Sequence, residues 1–350
     1  MNDDNLQHLR DQETVALANA ELPTLESYSS QTDAKAAKKK LGLGGWVCAA
    51  WLGLLLVVSL ISPLLAADAT GEVGCGDGSG LPIYHPTKCS DLEAKKIQSA
   101  EREPNEKLRE IKLSRVKGTP YSHVFGVDAG GRDVLSRVLF GTRTTMFIAV
   151  ASIALATLLG GAIGLVAGYF RSTADNIATM AFDVMSAFPP LILAMLLVIT
   201  LAAENPDKRI FGIILALAIV ATPILGRITR ASTLSWSNRE FVIAAWALGA
   251  KPMRIIRKDV VSNVAPALMS IAMLGIGLVV TTESALALIG LGVPDSTGSW
   301  GSVVASGSAD FRNYYHLVFV TSVPIVLTVS ALNFLGDALR RKFDVRESAL

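Results

Sequence analysis

Charge-free apolar runs of membrane-spanning length recur along this chain. Trp46 to Ala66 and Thr144 to Phe170 contain no charge; a third run starts near Asn176, carries Asp183, and continues uncharged from Val184 to Ala203. Ile210 to Gly226 is the shortest, and Val260 to Thr282 and Asn313 to Gly336 complete the set. A hydrocarbon core about 30 Å thick needs about 20 such residues per helix. The pattern predicts an all-α polytopic membrane protein with six transmembrane helices. Ala67-Asp68-Ala69 resembles a signal-peptide cleavage site, yet the polar leader before the first run is too long for one, so 46–66 reads as the first span.

The polar stretches between the runs set the organisation. Residues 1–45 form a tail with Lys35, Lys38, Lys39 and Lys40 near its end, and basic residues in short flanks resist translocation, so the tail is expected in the cytoplasm. Six spans then put the 227–263 loop and the 337–350 tail on the same side; the loop holds seven Lys or Arg against Glu240 and Asp259, and the tail opens with Arg340, Arg341 and Lys342. Residues 67–143 are expected outside, because so long a connection is largely exempt from the rule. Within them Gly71 to Pro86 is Gly-rich, and Lys88 to Lys117, with 15 charged residues of 30, reads as a solvated helical hairpin divided at Pro104. The stretch GRDVLSRVLFGTR sets Val134 and Val138, and Leu135 and Leu139, opposite Arg132, Asp133 and Arg137, which predicts an interfacial helix before the second span. The other five spans make a 144–336 core.

Composition narrows the function. Apolar residues are 51% of the chain and charged residues 18%, with a mean hydropathy of +0.45, which argues against a large soluble enzyme. Basic and acidic residues number 32 and 30, so the net charge of +2 offers no nucleic-acid footprint. Three cysteines and four histidines show no metal-ligand spacing. Gly74-Cys75-Gly76-Asp77 matches a protease string but sits in a Gly-rich outer loop; no HExxH occurs, and no Gly-Lys dipeptide exists to build a Walker A loop. No catalytic residue and no metal or cofactor site emerges, so any ATP and Mg would be bound by another chain. Cys75 and Cys89 lie on the outer side with 13 residues between them, a loop whose closure by a disulfide would contribute about 3 kcal/mol, and they are expected to be bonded. Cys48 in the first span is expected to stay free.

The cytoplasmic loop carries the sharpest local signal. Ser237-Asn238-Arg239-Glu240 matches a capping box that would start a helix through FVIAAWAL. Gly249 supplies a left-handed C-terminal cap, and Pro252 stops that helix and opens the next. The small residues Ala244, Ala245, Ala247, Gly249 and Ala250 would let a partner surface approach closely.

AAWALGAKPMRIIRKDVVSNVAP resembles the EAA loop of ABC importer permeases, with Ala244, Ala245 and Gly249 at the signature positions. FGVDAGGRDVLSRVLFGTR, DVMSAFPPL, ESALALIGLGVPDSTGSWG and NFLGDALRRKFDVR resemble, in order, further blocks of the C-type permease of dipeptide, oligopeptide and nickel importers, together covering most of 123–346. Ile243 stands where the signature has Glu, Ser262 replaces an expected Pro, Val345 replaces the Pro of a terminal DPR, and residues 67–120 exceed the family's usual outer loop. The resemblance implies an ABC type I importer-like permease fold in the cell inner membrane. It implies a heterodimer with a second permease, two cytoplasmic ATP-binding subunits that hold ATP and Mg, and an extracytoplasmic solute-binding protein. ATPase coupling would fall to Glu240, Ala244, Ala245, Gly249, Ala250, Lys251, Pro252 and Arg254, and the cargo would be di- or oligopeptides, with nickel or another small solute as the alternative. A secondary, ion-coupled transporter is the rival from another class, but no internal repeat relates the two halves.

Asp183, within the third run, and Glu283, directly after the fifth, are the ionisable residues to explain. Each is expected to face protein or water, either on a translocation path or in a helix-to-helix hydrogen bond. Pro189, Pro190, Pro223 and Pro324 mark expected bends.

Overall fold

The computed structural model describes residues 43–68, 102–109, 125, 134–201, 206–294 and 297–347, and among them there is helix and no strand. The helices are α1 (Leu43–Asp68), α2 (Val134–Phe170), α3 (Thr173–Ser186), α4 (Pro190–Leu201), α5 (Pro206–Ser237), α6 (Glu240–Ala247), α7 (Pro252–Ile255), α8 (Val261–Leu288), α9 (Trp300–Ala309) and α10 (Phe311–Glu347), with a π-helical segment, Ile256–Val260, joining α7 to α8. Among the described residues, five stretches are long and apolar enough to cross a bilayer: Gly44–Ile61, Arg137–Phe170, Lys208–Ser237, Pro252–Leu288 and Phe311–Arg341. The pair α3 and α4, bent by 91°, makes the sixth if it is one span.

Several boundaries differ from those the hydropathy implied. The expected interfacial helix is not separate: α2 runs unbroken from Val134, with Val134, Arg137 and Val138 buried rather than split between an apolar and a solvated side. The third run is two helices, because Pro189 and Pro190 supply no N–H and the residue before a proline avoids helical backbone. Pro190 instead opens α4, whose first turn closes when the Leu193 N–H donates to the Pro189 carbonyl at 3.0 Å. The helix of the fourth run continues past Gly226 to Ser237, so the expected 227–263 loop begins as helix and holds α6 and α7 after it. Helix α9 was not anticipated; its ten residues fall below spanning length.

Glycine decides how the two longest-packed helices meet. Gly160, Gly164 and Gly168 recur every fourth residue on α2, so one stripe carries no side chains. A Cβ at Gly160 would lie 2.6 Å from the Thr222 carbonyl oxygen and one at Gly168 2.7 Å from the Arg230 carbonyl oxygen, so α2 and α5 touch backbone to backbone. Close approach of this kind replaces the hydrophobic drive that lipid does not provide. Phe182 of α3 fills the neighbouring groove on Gly226, where any Cβ would collide with its ring.

The other helices close around a buried polar joint. Ser299 caps α9, its Oγ accepting from the Ser302 N–H at 3.1 Å while the Ser302 hydroxyl accepts from the Ser299 N–H at 2.8 Å. Trp300 is fully buried, its indole N–H donating to the Val138 carbonyl at 2.9 Å and its backbone N–H to the Thr145 hydroxyl at 3.0 Å. The first turn of α9 is thus wedged against α2 and α8. Gly290 at φ +81 ends α8 in a left-handed cap. Helix α1 leans on α10, the Trp51 indole donating to the Thr328 hydroxyl at 3.1 Å.

Candidate functional site

The segment between α5 and α8 is built from local signals of unequal fate. No capping box forms at Ser237. That residue lies in the last turn of α5, its hydroxyl donating to the Leu234 carbonyl at 3.1 Å, and Arg239 takes the N-cap position with extended backbone and no side-chain cap. A helix already running from Pro206 had no reason to stop before Ser237, and a hydroxyl inside a helix turns back to the preceding turn. The C-terminal end is as the sequence implies. Gly249 has φ +80, and the Gly249 N–H to Trp246 carbonyl (2.9 Å) and Ala250 N–H to Ala245 carbonyl (3.1 Å) bonds make a Schellman motif. Lys251 then caps α7 and Pro252 is its first residue.

Helix α6 has two faces. Val242, Ala245 and the following Ala250 pack onto Trp236, Ile255, Val260 and Val264, with Leu165 and Tyr169 of α2 behind them. Ala245 and Ala250, expected to allow close approach by a partner, are partly buried against this chain's own bundle. The outward face carries large apolar groups instead: Phe241, Ile243, Trp246, Leu248 and Met253 are exposed, Leu248 by 89%. Glu240, Ala244, Gly249, Lys251, Pro252 and Arg254 lie exposed among them. The Arg239 guanidinium sits 5.1 Å from the centre of the Trp236 ring, a cation–π contact at the turn. Sequence reasoning missed the exposed aromatic side chains because it weighted small residues for close approach, although Phe241 and Trp246 stood in the same stretch.

Asp183 and Glu283 occupy unlike settings. Asp183 is 64% exposed and accepts from Arg227 Nη2 at 3.0 Å. Glu283 is buried, and its Oε1 accepts from the Ser299 hydroxyl at 2.7 Å, which orients that hydroxyl to cap α9. Gly301 faces the second carboxylate oxygen, where a Cβ would sit 3.0 Å from it. Cys75 and Cys89 and nearly all of the 67–120 insertion lie outside the described residues; Cys48 in α1 is free.

A family model described as the binding-protein-dependent transport system inner membrane component matches residues 160–348. The chain belongs to this family. It is 32% identical over 231 residues to the dipeptide transport system permease protein DppC of Alkalihalophilus pseudofirmus, covering 66% of this chain and 74% of that one. It is 33% identical over 232 residues to the oligopeptide transport system permease protein OppC of Bacillus subtilis, with the same two coverages of 66% and 74%. The glutathione transport system permease protein GsiD of Pectobacterium atrosepticum is 30% identical over 228 residues, covering 65% of this chain and 74% of that one. Among solved structures, an inward-facing crystal form of the MetNI methionine ABC transporter aligns over 60% of this chain and 97% of its own at 18% identity and a TM-score of 0.50, a likeness of fold. The family protein is a multi-pass inner-membrane transport component, and the α5–α8 segment lies inside the matched region.

Proposed function

We propose that this chain is a peptide-translocating permease of an ATP-driven importer, and that the exposed face of α6 docks on an ATPase subunit. The supporting observation is that face itself. Five large apolar side chains stand exposed on a two-turn helix and its flanks, framed by Arg254, Arg257 and Lys258, outside the uncharged runs that meet lipid. A patch of this kind marks an interaction surface. Its basic frame supports a cytoplasmic position. The resemblance of 244–266 to an EAA loop supports the ATPase as occupant, and the names of the relatives support di- or oligopeptides as cargo.

The mechanism that follows is alternating access. A second permease completes the path with this chain, a binding protein delivers peptide from outside, and ATP and Mg are held by two partner subunits, which pull α6 together with its opposite number when they close. Both termini lie in the cytoplasm in this arrangement. The chain's contributions are a rigid docking helix with defined ends and a bent span whose angle can change.

Reconstitution tests the reading. Vesicles holding this chain with its co-purifying permease and ATPase subunits should take up labelled peptide when binding protein is outside and ATP inside. Uptake driven by a proton or sodium gradient without nucleotide would replace this reading with a secondary transporter. Uptake of nickel but not peptide would move the cargo. Trp246→Ala with Leu248→Ala should detach the ATPase subunits while the two permeases stay paired.

A further inference from the structure

Three arginines tie α3 to the end of α5 and to the turn that starts α6. Arg230 makes a two-point ion pair with Asp175, its Nε donating to one carboxylate oxygen and its Nη2 to the other at 2.6 Å. Arg227, one turn earlier on α5, donates to the Asp183 carboxylate at 3.0 Å, the Phe182 carbonyl at 3.0 Å and the Ser186 hydroxyl at 2.9 Å. Arg171, which links α2 to α3, donates to Asn238 Oδ1 at 2.5 Å and Ser237 Oγ at 3.3 Å. Forked guanidinium contacts of this type fix direction as well as distance.

Backbone strain gathers at the same place. Arg171 has φ 54 and Ser172 has φ 63 with ψ −135, and neither is glycine. Backbone of this kind persists only where surrounding contacts enforce it. Here the Arg171 side chain grips the α5–α6 turn on one side while Asp175, one turn into α3, is gripped by Arg230 on the other.

The far side of the bend is held differently. Ala194 and Val198 of α4 share an apolar cluster with Ile213, Ile214 and Leu217 in the first half of α5. Such packing lacks directional bonds and permits small sliding. Ala187, Phe188, Pro189 and Pro190 at the joint are exposed, and the two prolines donate no N–H across it.

We infer that α3, the second half of α5 and the Ser237–Arg239 turn move as one body, with the Ala187–Pro190 joint as the hinge that converts displacement of α6 into a change of angle in the bent span. Arg171 is the positioning residue that binds the α6 turn to this body. The inference rests on α6 being the ATPase-docking helix.

Spin-label distances in the assembled transporter in nanodiscs test it, with Cys48, Cys75 and Cys89 replaced by Ser. Asn176→Cys with Ser235→Cys reports within the body; Asn176→Cys with Ile199→Cys reports across the joint. Trapping with ATP and vanadate should leave the first distance constant within about 2 Å while the second shifts by more than that, the scale of packed-helix movements. Arg171→Ala should broaden the first distance and lower peptide transported per ATP about tenfold, the weight of a charged hydrogen bond, with ATPase subunits still attached. Asp175→Asn should act in the same direction, and the swap Asp175→Arg with Arg230→Asp should restore it. A first distance that changes as much as the second, or unaltered transport per ATP in both single variants, overturns the lever alone. Neither distance responding to nucleotide overturns the lever and the docking reading beneath it.

Discussion

Replacing Gly160 by Ala adds one methyl where α2 meets α5, and the neighbouring Gly161 provides its own control. At Gly160 the new Cβ would be 2.6 Å from the Thr222 carbonyl oxygen and 2.9 Å from the Gly226 nitrogen, both backbone atoms that no side-chain rotation can move. An unstrained carbon-to-oxygen contact is about 3.3 Å, so the helices must part by about 0.7 Å. At Gly161 the nearest neighbour is Leu268 Cδ2 at 3.4 Å, ordinary contact with the tip of a flexible side chain. Both substitutions gain about 1 kcal/mol of helix propensity, which cancels in the comparison. What remains is overpacking at Gly160 alone, about 1–3 kcal/mol. Denaturant unfolding of the purified complex in mixed micelles should therefore place Gly160→Ala below Gly161→Ala by that amount. Transport should follow stability, because the stripe that includes Gly160 also sets where Arg171 meets Asn238. Equal stability of the two variants would refute the backbone-to-backbone contact.

Other expectations are narrower. At Gly249 an added Cβ would meet nothing within 4 Å, but Gly249→Leu forces a side chain to φ +80, costing about 1–2 kcal/mol, and it places a bulky group on the proposed docking face; transport and substrate-stimulated ATPase should fall while insertion persists, and full activity of both would sink the docking assignment. Glu283→Leu deprives the Ser299 hydroxyl of its acceptor and should cost about 1–3 kcal/mol by thermal unfolding, whereas Glu283→Gln keeps an acceptor and should cost less; the reverse order would contradict the cap. Thiol labelling of intact protein without reductant should modify neither Cys75 nor Cys89, and rapid labelling of both would remove the proposed disulfide. Deleting Gly71 to Lys117 should weaken binding-protein docking and leave ATPase subunits attached, and their loss would contradict an outer position for that insertion.

Local features of the candidate site were legible where one residue's own backbone decides the outcome. Gly249 in a left-handed cap and Pro252 at a helix start need no knowledge of distant neighbours. The Ser237 capping box failed because its premise was a loop, and whether α5 stops at Gly226 or continues to Ser237 depends on what its last turns pack against. Trp236 buried in the cluster with Val242 and Ile255 keeps those turns helical. The glycine stripe at 160, 164 and 168 stood in the sequence as a usable signal of close helix contact, but not its partner.

Hydropathy by itself determined the class of this protein and the number of apolar runs, because transfer into lipid acts on each residue and its immediate neighbours. Only the tertiary structure decided that Asp183 is met by Arg227, 44 residues away, that Trp300 reaches Val138 across 162, and that Ala245 turns inward while Trp246 stays exposed. Those outcomes depend on which helices lie side by side and at what rotation, and a bilayer that accepts any apolar face leaves that choice to small residues and polar pairs far apart in the chain.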